Sequence, residues 1–409
     1  MIDAAAFAAL CAPVPTVQFI ELLLRTGFSP RAYLDAYGDL RERNWDETQG
    51  LLHFIRFGLA ERRVAPMILQ HDALLELARL PMHRSDFQAD LLASFAQHLF
   101  DGMQHPYGET IAQRWETVRS LIQHGARPYF VTGDSHSQQF YHRVSRGPEW
   151  LLPIPMLCTG GSASGLNNLR SRSGYGGLLR QAVKVIGALP DTRQVPFILQ
   201  FGQVDVEFVY HFRRARAQAR TLDLDHYRTF CAEVAEDYMG FVSELFEPAV
   251  RSRVRLAAIF PPALSDAVWK AGYVNDDIAW KDGIDSMPDL SEGIRALEIA
   301  SLRQRTEIHR FFNDIVAAAC RRQGFGFIDS FNPFLGVDGL VNDNYVIQRG
   351  ADHHLRGDAT NATLCALTWE CADAAVQPAP APVPTPERPR PAGSFGKLRA
   401  WVRRVLGGR

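Results

Sequence analysis

The stretch VTGDSHSQQF (131–140) decides how the rest of this chain is read. The run that opens it, PYFVTG (128–133), is compact enough for a buried strand and ends on a glycine, where a chain can turn. A strand that runs into Gly-Asp-Ser-His presents Ser135 at its end. There, turn N–H groups near a helix start can hold a developing negative charge. Serine and aspartate are also ordinary helix caps, so these four residues alone leave capping open.

Working outward, four more short apolar runs read as buried strands: IPMLCTG (154–160), PFILQFG (196–202), RLAAIF (255–260) and FGFID (325–329). Helical spacing occupies stretches between them, including 227–246 and 294–322. Strands alternating with helices imply parallel βαβ units, so the expected fold is α/β: a three-layer α/β/α sandwich with a parallel central sheet. In such sheets active residues collect at the carboxyl ends of the strands. Three polar blocks fall there or late in the chain: LCTGGSASGLNN (157–168), LQFGQVDVEF (199–208) and ADHHL (351–355).

Taken in order, these blocks resemble the SGNH/GDSL superfamily of esterases, lipases and carbohydrate acyl-esterases. That family has Gly-Asp-Ser first, a Gly block second, Gly-x-Asn-Asp third and a late Asp-x-x-His. The resemblance spans about 240 residues, 127–364, and its force lies in block order. GDSH with FGQVD looks like a bacterial branch associated with surface polysaccharide. The resemblance implies an SGNH/flavodoxin-like fold with Ser135 as nucleophile and its own N–H as one oxyanion donor. Gly165 stands for the second donor, with Gly161 as the fallback.

The third block departs from the family. Gly202 matches, but Val204 occupies the asparagine position and a valine side chain donates no hydrogen bond. Gln203, Asn167 and Asn168 are the nearby amides able to replace it. Asp205 and Glu207 are candidates for binding substrate hydroxyls, or for pairing with Arg213 or Arg214. The last block departs too, because Gly350 and Ala351 stand where an aspartate is expected before His353 and His354. His354, followed by Leu355, fits the family's base best; Asp352 or a backbone carbonyl would orient it, and His353 competes for the role. Asp134, His136, Asn167 and His353 are further candidates for lining the pocket and binding substrate. Adjacent histidines also suit a metal, but no companion cluster has ligand spacing, so neither metal nor cofactor is expected.

The resemblance implies a serine esterase, or an acyltransferase using the same covalent step, acting on a small-molecule or glycan ester. O-acyl groups of a carbohydrate are the favoured substrate. A non-catalytic binding or scaffold protein on the same fold is the alternative. A phosphate-binding domain with Gly160 to Gly165 as its loop is disfavoured, because the loop lacks the Lys-Ser/Thr ending.

Before the main domain (125–376) lies an N-terminal helical module (1–66) and a helical connector (67–124) expected to pack on the core. GFSPRAYLDAYGDL (27–40) and LLHFIRFGLAERR (51–63) resemble a small module of bacterial glycan-assembly proteins, patterned F-D-P-x-Y-Y-L-x-x-Y-P-D-V and then H-Y-x-x-x-G-x-x-E-G-R. Ser29, Gly38 and Arg62 replace its Asp, Pro and Gly. A plain helical cap on the next domain is the other reading. After the main domain, a Pro/Ala-rich linker (377–394) includes PAPAPVPTPERPRP (378–391), and residues 395–409 carry a basic amphipathic pattern. Such a tail can lie on an anionic membrane or dock on a protein, or remain a disordered soluble tail.

The net charge of −1 gives no reason to expect a nucleic-acid partner. Asp3, Pro13 and Pro15 interrupt what a signal peptide would need, and no apolar run is long enough to span a bilayer. The six scattered cysteines suit small core residues in a reducing compartment. The expected location is cytoplasmic, with membrane-peripheral attachment through the tail as an option.

Overall fold

The computed structural model describes residues 4–376 apart from 65, 102 and 104; the linker (377–394) and the tail (395–409) lie outside the described residues. Six strands form one sheet: β1 (Ala126–Gly133), β2 (Ser145–Arg146), β3 (Glu149–Leu157), β4 (Phe197–Gln200), β5 (Val254–Ala257) and β6 (Gly326–Ile328). Their spatial order is β2-β3-β1-β4-β5-β6, parallel throughout except for the short β2–β3 pair. From β1 the chain adds β3 on one side and then returns to add β4 on the other. The order therefore reverses at β1, which is where crevices open above an α/β sheet.

Alternation along the strands sorts side chains to two faces. Phe130, Leu152, Phe197, Leu199 and Leu256 join a large apolar cluster that includes Trp115, Leu179, Val234 and Phe312. Those four come from the helices Tyr107–Ile122, Tyr175–Ala188, Leu224–Leu245 and Leu302–Gln323. Tyr129, Val131, Leu151, Ile198 and Ala257 face the other way, onto Leu364, Cys365 and Trp369 of the last helix, Gly357–Val376. Helices thus cover both faces, giving the three-layer α/β/α arrangement.

β3 begins earlier than the expected strand 154–160. Pro153 and Pro155 both sit within the strand, opposite Tyr129 and Val131 of β1. The Leu151 N–H bonds outward to Val144, and residues two and four further on aim the same way. β2 pairs only with Glu149 and Trp150, so the prolines' missing N–H groups fall on an open edge, where proline costs no ladder bond. The single helix expected over 294–322 is in fact two, Met287–Arg295 and Leu302–Gln323. Ser301 starts the second with a capping box, its hydroxyl on the Gln304 N–H and the Gln304 side chain on the Ser301 N–H.

The N-terminal helices share the larger apolar cluster, from Phe7 through Phe28, Phe54 and Phe95. Ser29 caps the helix Pro30–Ala36 by accepting the Ala32 N–H, with Pro30 at its first position. Arg62 adopts φ = 56°, a left-handed conformation natural to the glycine of the module's pattern. Arg63 holds Asp39 by two hydrogen bonds of 2.9 and 2.8 Å. The connector helix Ser85–Ala96 lies against β2 and β3. All six cysteines are buried. Among the described residues, no single helix is long and apolar enough to cross a membrane.

Candidate active site

β1 ends at Gly133, where any side chain would collide: a Cβ there would lie 2.2 Å from the Gln200 carbonyl oxygen and 2.7 Å from Ser137. Only glycine lets the end of β1 come this close to the end of β4. Asp134 then caps the following turn, Ser135–Phe140, its Oδ1 accepting the His136 N–H at 2.9 Å. Ser135 stands first in that turn. Among the described residues its N–H has no acceptor, which leaves it available to an oxyanion.

The late loop brings the other partners. Ser135 Oγ lies 2.8 Å from His354 Nε2. On the far side of the ring, His354 Nδ1 is 2.9 Å from Asp352 Oδ1, and the same oxygen accepts the His354 backbone N–H at 2.9 Å. An acceptor at Nδ1 keeps the imidazole proton there and leaves the Nε2 lone pair facing the serine hydroxyl. Burial lowers the His354 pKa, the neighbouring His136 adds to the effect, and Asp352 opposes it; the ring is held neutral at neutral pH. Burial disfavours charge on Asp352, but the His354 backbone and side-chain hydrogen bonds outweigh it and keep the carboxyl below its ordinary range. Gln139 secures this loop, its amide donating to the Leu355 carbonyl at 2.8 Å while its oxygen accepts the Thr360 hydroxyl at 2.7 Å. Nothing in the spacing of the sequence marks Gln139 or Thr360.

Several expected roles change. Asp134 and His136 are fully buried, and His136 Nδ1 is 2.8 Å from Asp134 Oδ1, so neither is open to a substrate hydroxyl. His353 is buried too, with Nδ1 3.0 Å from the Tyr273 hydroxyl, and it makes no hydrogen bond to Ser135 among the described residues. Tyr273 carries no motif in sequence. The Gly165 N–H donates to the Ser162 hydroxyl and carbonyl, both at 3.1 Å, and the Gly161 N–H to the Cys158 carbonyl at 2.8 Å. Both glycine donors are therefore spent inside their loop. Gln203 turns its amide to Glu207 Oε2 at 3.0 Å, and both side chains are buried. Asn167 is on the surface, donating to the Asp237 carbonyl at 2.8 Å and accepting from Arg180 at 3.0 Å.

Asp205 is an anchor rather than a substrate ligand. Fully buried, it accepts the Ala163 N–H at 2.6 Å and the Ser164 N–H and hydroxyl at 3.1 and 2.5 Å. Burial pushes its pKa up to about 6 against the pull of these donors. Val204 packs in the apolar core. Gly202 has φ = 110°, and a Cβ there would come within 2.4 Å of the Phe312 ring, so this glycine is set by both backbone and space.

The fold also assembles a cluster invisible in sequence. His136, His353 and His354 each offer a ring nitrogen, and these nitrogens lie within 4.8 Å of one another.

No protein-family model matches the chain, and no curated protein matches it. Several solved structures overlay loosely. One is a protein named for platelet activating factor from Streptococcus pneumonia, at 12% identity and TM-score 0.32, covering 65% of this chain and 92% of that one. A GDSL-like lipase from Bacteroides thetaiotaomicron gives 14% identity and TM-score 0.30 over 64% of this chain and 98% of its own. An extracellular lipase from Streptomyces rimosus gives 11% and 0.28 over 60% and 99%. Overlays this loose leave the chemistry to rest on the chain's own geometry.

Proposed function

We propose that this chain is a serine-dependent esterase or O-acyltransferase, acting on O-acyl groups of a carbohydrate. The observation that carries the reading is the relay of Ser135 Oγ, His354 Nε2 and Asp352, with contacts of 2.8 and 2.9 Å. In the first step Ser135 Oγ bonds to the ester carbonyl carbon as its proton passes to His354 Nε2. The Ser135 N–H faces the oxyanion, and Asp352 balances the imidazolium. His354 then returns the proton to the departing alkoxide, leaving an acyl-serine. Water or a sugar hydroxyl gives its proton to His354, takes the acyl group and restores Ser135. Water yields hydrolysis; a hydroxyl yields transfer. The carbohydrate assignment rests on the GDSH and FGQVD blocks and on the N-terminal module.

The test is intact mass after a fluorophosphonate, together with p-nitrophenyl acetate turnover. Wild type should gain one adduct, Ser135→Ala none, and His354→Ala should react far more slowly. An unlabelled wild type would sink the reading. Acetylated and deacetylated oligosaccharides then separate hydrolysis from transfer.

A binding or scaffold protein is the second reading. It is favoured by the commitment of the Gly165, Gly161 and Gln203 donors elsewhere, because one missing oxyanion donor costs about two to three orders of magnitude in rate. Such a protein has no activated serine and takes no adduct.

A further inference from the structure

We propose that His136, His353 and His354 form a binding site for one Zn²⁺ ion, and that the bound ion switches the serine site off. The switching half rests on the hydrolase reading above; the binding half does not.

Three features carry the assignment. First, the nitrogens converge: one from each ring lies within 4.8 Å of the others. A zinc ion with bonds of about 2.0–2.1 Å needs its ligand nitrogens somewhat nearer, a closure within reach of small side-chain rotations. Second, each ring is already held from behind. Asp134 sits at His136 Nδ1, Asp352 at His354 Nδ1 and the Tyr273 hydroxyl at His353 Nδ1, at 2.8, 2.9 and 3.0 Å. This turns Nε2 of each ring to the metal's side, although on His136 the ion must displace a 3.4 Å contact between Nε2 and the His353 carbonyl, and on His354 it must displace the Ser135 hydroxyl. A second nitrogen held by a carboxylate or hydroxyl is how metal-ligating histidines are oriented. Third, the surroundings favour a cation. Asp134 and Asp352 both stand behind the rings, and Asp134 Oδ2 has no hydrogen-bond partner among the described residues.

An all-imidazole donor set suits zinc and similar transition metals, whereas magnesium and calcium prefer oxygen. The ion enters from the side of His354, whose side chain is 29% exposed while the other two are buried. Ser135 Oγ or a water takes the fourth position. The cost to catalysis follows directly, because the metal occupies the Nε2 lone pair that receives the Ser135 proton. Binding forms three Zn–N bonds and releases any ring proton to solvent, with no redox change.

The test uses the full chain, stripped with a chelator. Binding is read without catalysis, by equilibrium dialysis with Zn²⁺ and by visible d–d absorption of Co²⁺ in the same site. About one ion per chain and a tetrahedral Co²⁺ spectrum are expected. His354→Gln should abolish the spectrum. Tyr273→Phe, which removes the hydroxyl behind His353, should weaken binding by about ten- to a hundredfold. Melting curves check that both variants are folded. The switch is read by fluorophosphonate labelling of Ser135, which should slow at least about tenfold with one equivalent of Zn²⁺ and recover with EDTA. A Co²⁺ spectrum that is absent, or unchanged in both variants, overturns the site and leaves the hydrolase reading standing. Tight binding with unchanged or faster labelling overturns the switch. If the metal-free protein takes no label, the hydrolase reading and its switch fail together, and the Co²⁺ spectrum still decides the site.

Discussion

Asp205, at the exit of β4, reaches across to the loop after β3 and accepts both the N–H and the hydroxyl of Ser164, at 3.1 and 2.5 Å. Its other oxygen takes the Ala163 N–H at 2.6 Å. One buried carboxyl thus joins the two loops that flank the nucleophile turn. An unfolded aspartate titrates near its ordinary 3.8, while burial holds the folded group at about 6. A raised carboxyl pKa contributes stability that is present below the unfolded value and lost as pH rises through the folded one. Wild type should therefore lose up to about 3 kcal/mol from this group between roughly pH 4 and pH 6. Asp205→Asn cannot ionise, and its amide turns a donor toward a donor, so it starts less stable. The gap in melting temperature between the two proteins should narrow across that window. A constant gap would show that Asp205 does not titrate there.

Gln139 is a positioning residue. Its bond to Leu355 ties the loop that carries His354 to the turn that carries Ser135, and its bond to Thr360 ties that turn to the start of the last helix. Replacing it with alanine removes both ties and touches no reacting atom. The expected result is a fall in kcat of about tenfold or more with little change in KM, since loosening the geometry of catalytic groups costs rate before it costs binding. Thr360→Val removes one tie and should fall between. Equal losses in kcat and in thermal stability across all folded variants would point to a merely structural role.

Much of this arrangement is legible in the sequence, and the part that is not has a physical reason. Gly133-Asp134-Ser135 is read as a strand end, and β1 does end at Gly133 with Asp134 capping the next turn. The order of the later blocks puts Ser135, His354 and Asp352 in one chemical hypothesis, and the fold brings these three together. The second oxyanion donor was not legible. Whether the Gly165 N–H is free depends on where the Ser162 side chain turns, and spacing carries no information about that. The His136–His353 approach is a contact between segments far apart in sequence, made only when β1 and the last loop meet above the sheet.

Gly202 combines a positive φ of 110° with a Phe312 ring that leaves no room for a Cβ. Gly202→Ala should therefore lose both ways, through backbone strain and through overpacking against the helix Leu302–Gln323. A destabilisation of about 3 kcal/mol is expected, read from urea unfolding at fixed pH. Adding Phe312→Leu makes space and should recover the packing part, leaving the backbone part of about 1 kcal/mol. If the double variant is no more stable than the single, the ring is not the obstacle.

Asp352 offers a sharper test of how the base is held, because a single oxygen, Oδ1, receives both the His354 Nδ1–H and the His354 backbone N–H. In Asp352→Asn the amide oxygen can occupy that place and accept both. A flipped amide would face two donors with its own N–H groups, so the oxygen-in orientation is strongly preferred. Tautomer and ring position are then preserved, and only the charge opposite the imidazolium is lost. For a side chain that is 44% exposed, that charge is worth between about one and four kcal/mol, or roughly ten- to a thousandfold in kcat/KM. Asp352→Ala loses the acceptor as well, which frees the ring to rotate and to carry its proton on the wrong nitrogen; a loss of about ten-thousandfold is expected. The ordering of wild type, asparagine and alanine on p-nitrophenyl acetate reads the two contributions separately. If asparagine is as poor as alanine, the negative charge dominates and the acceptor geometry is secondary; if asparagine matches wild type, Asp352 acts through orientation alone.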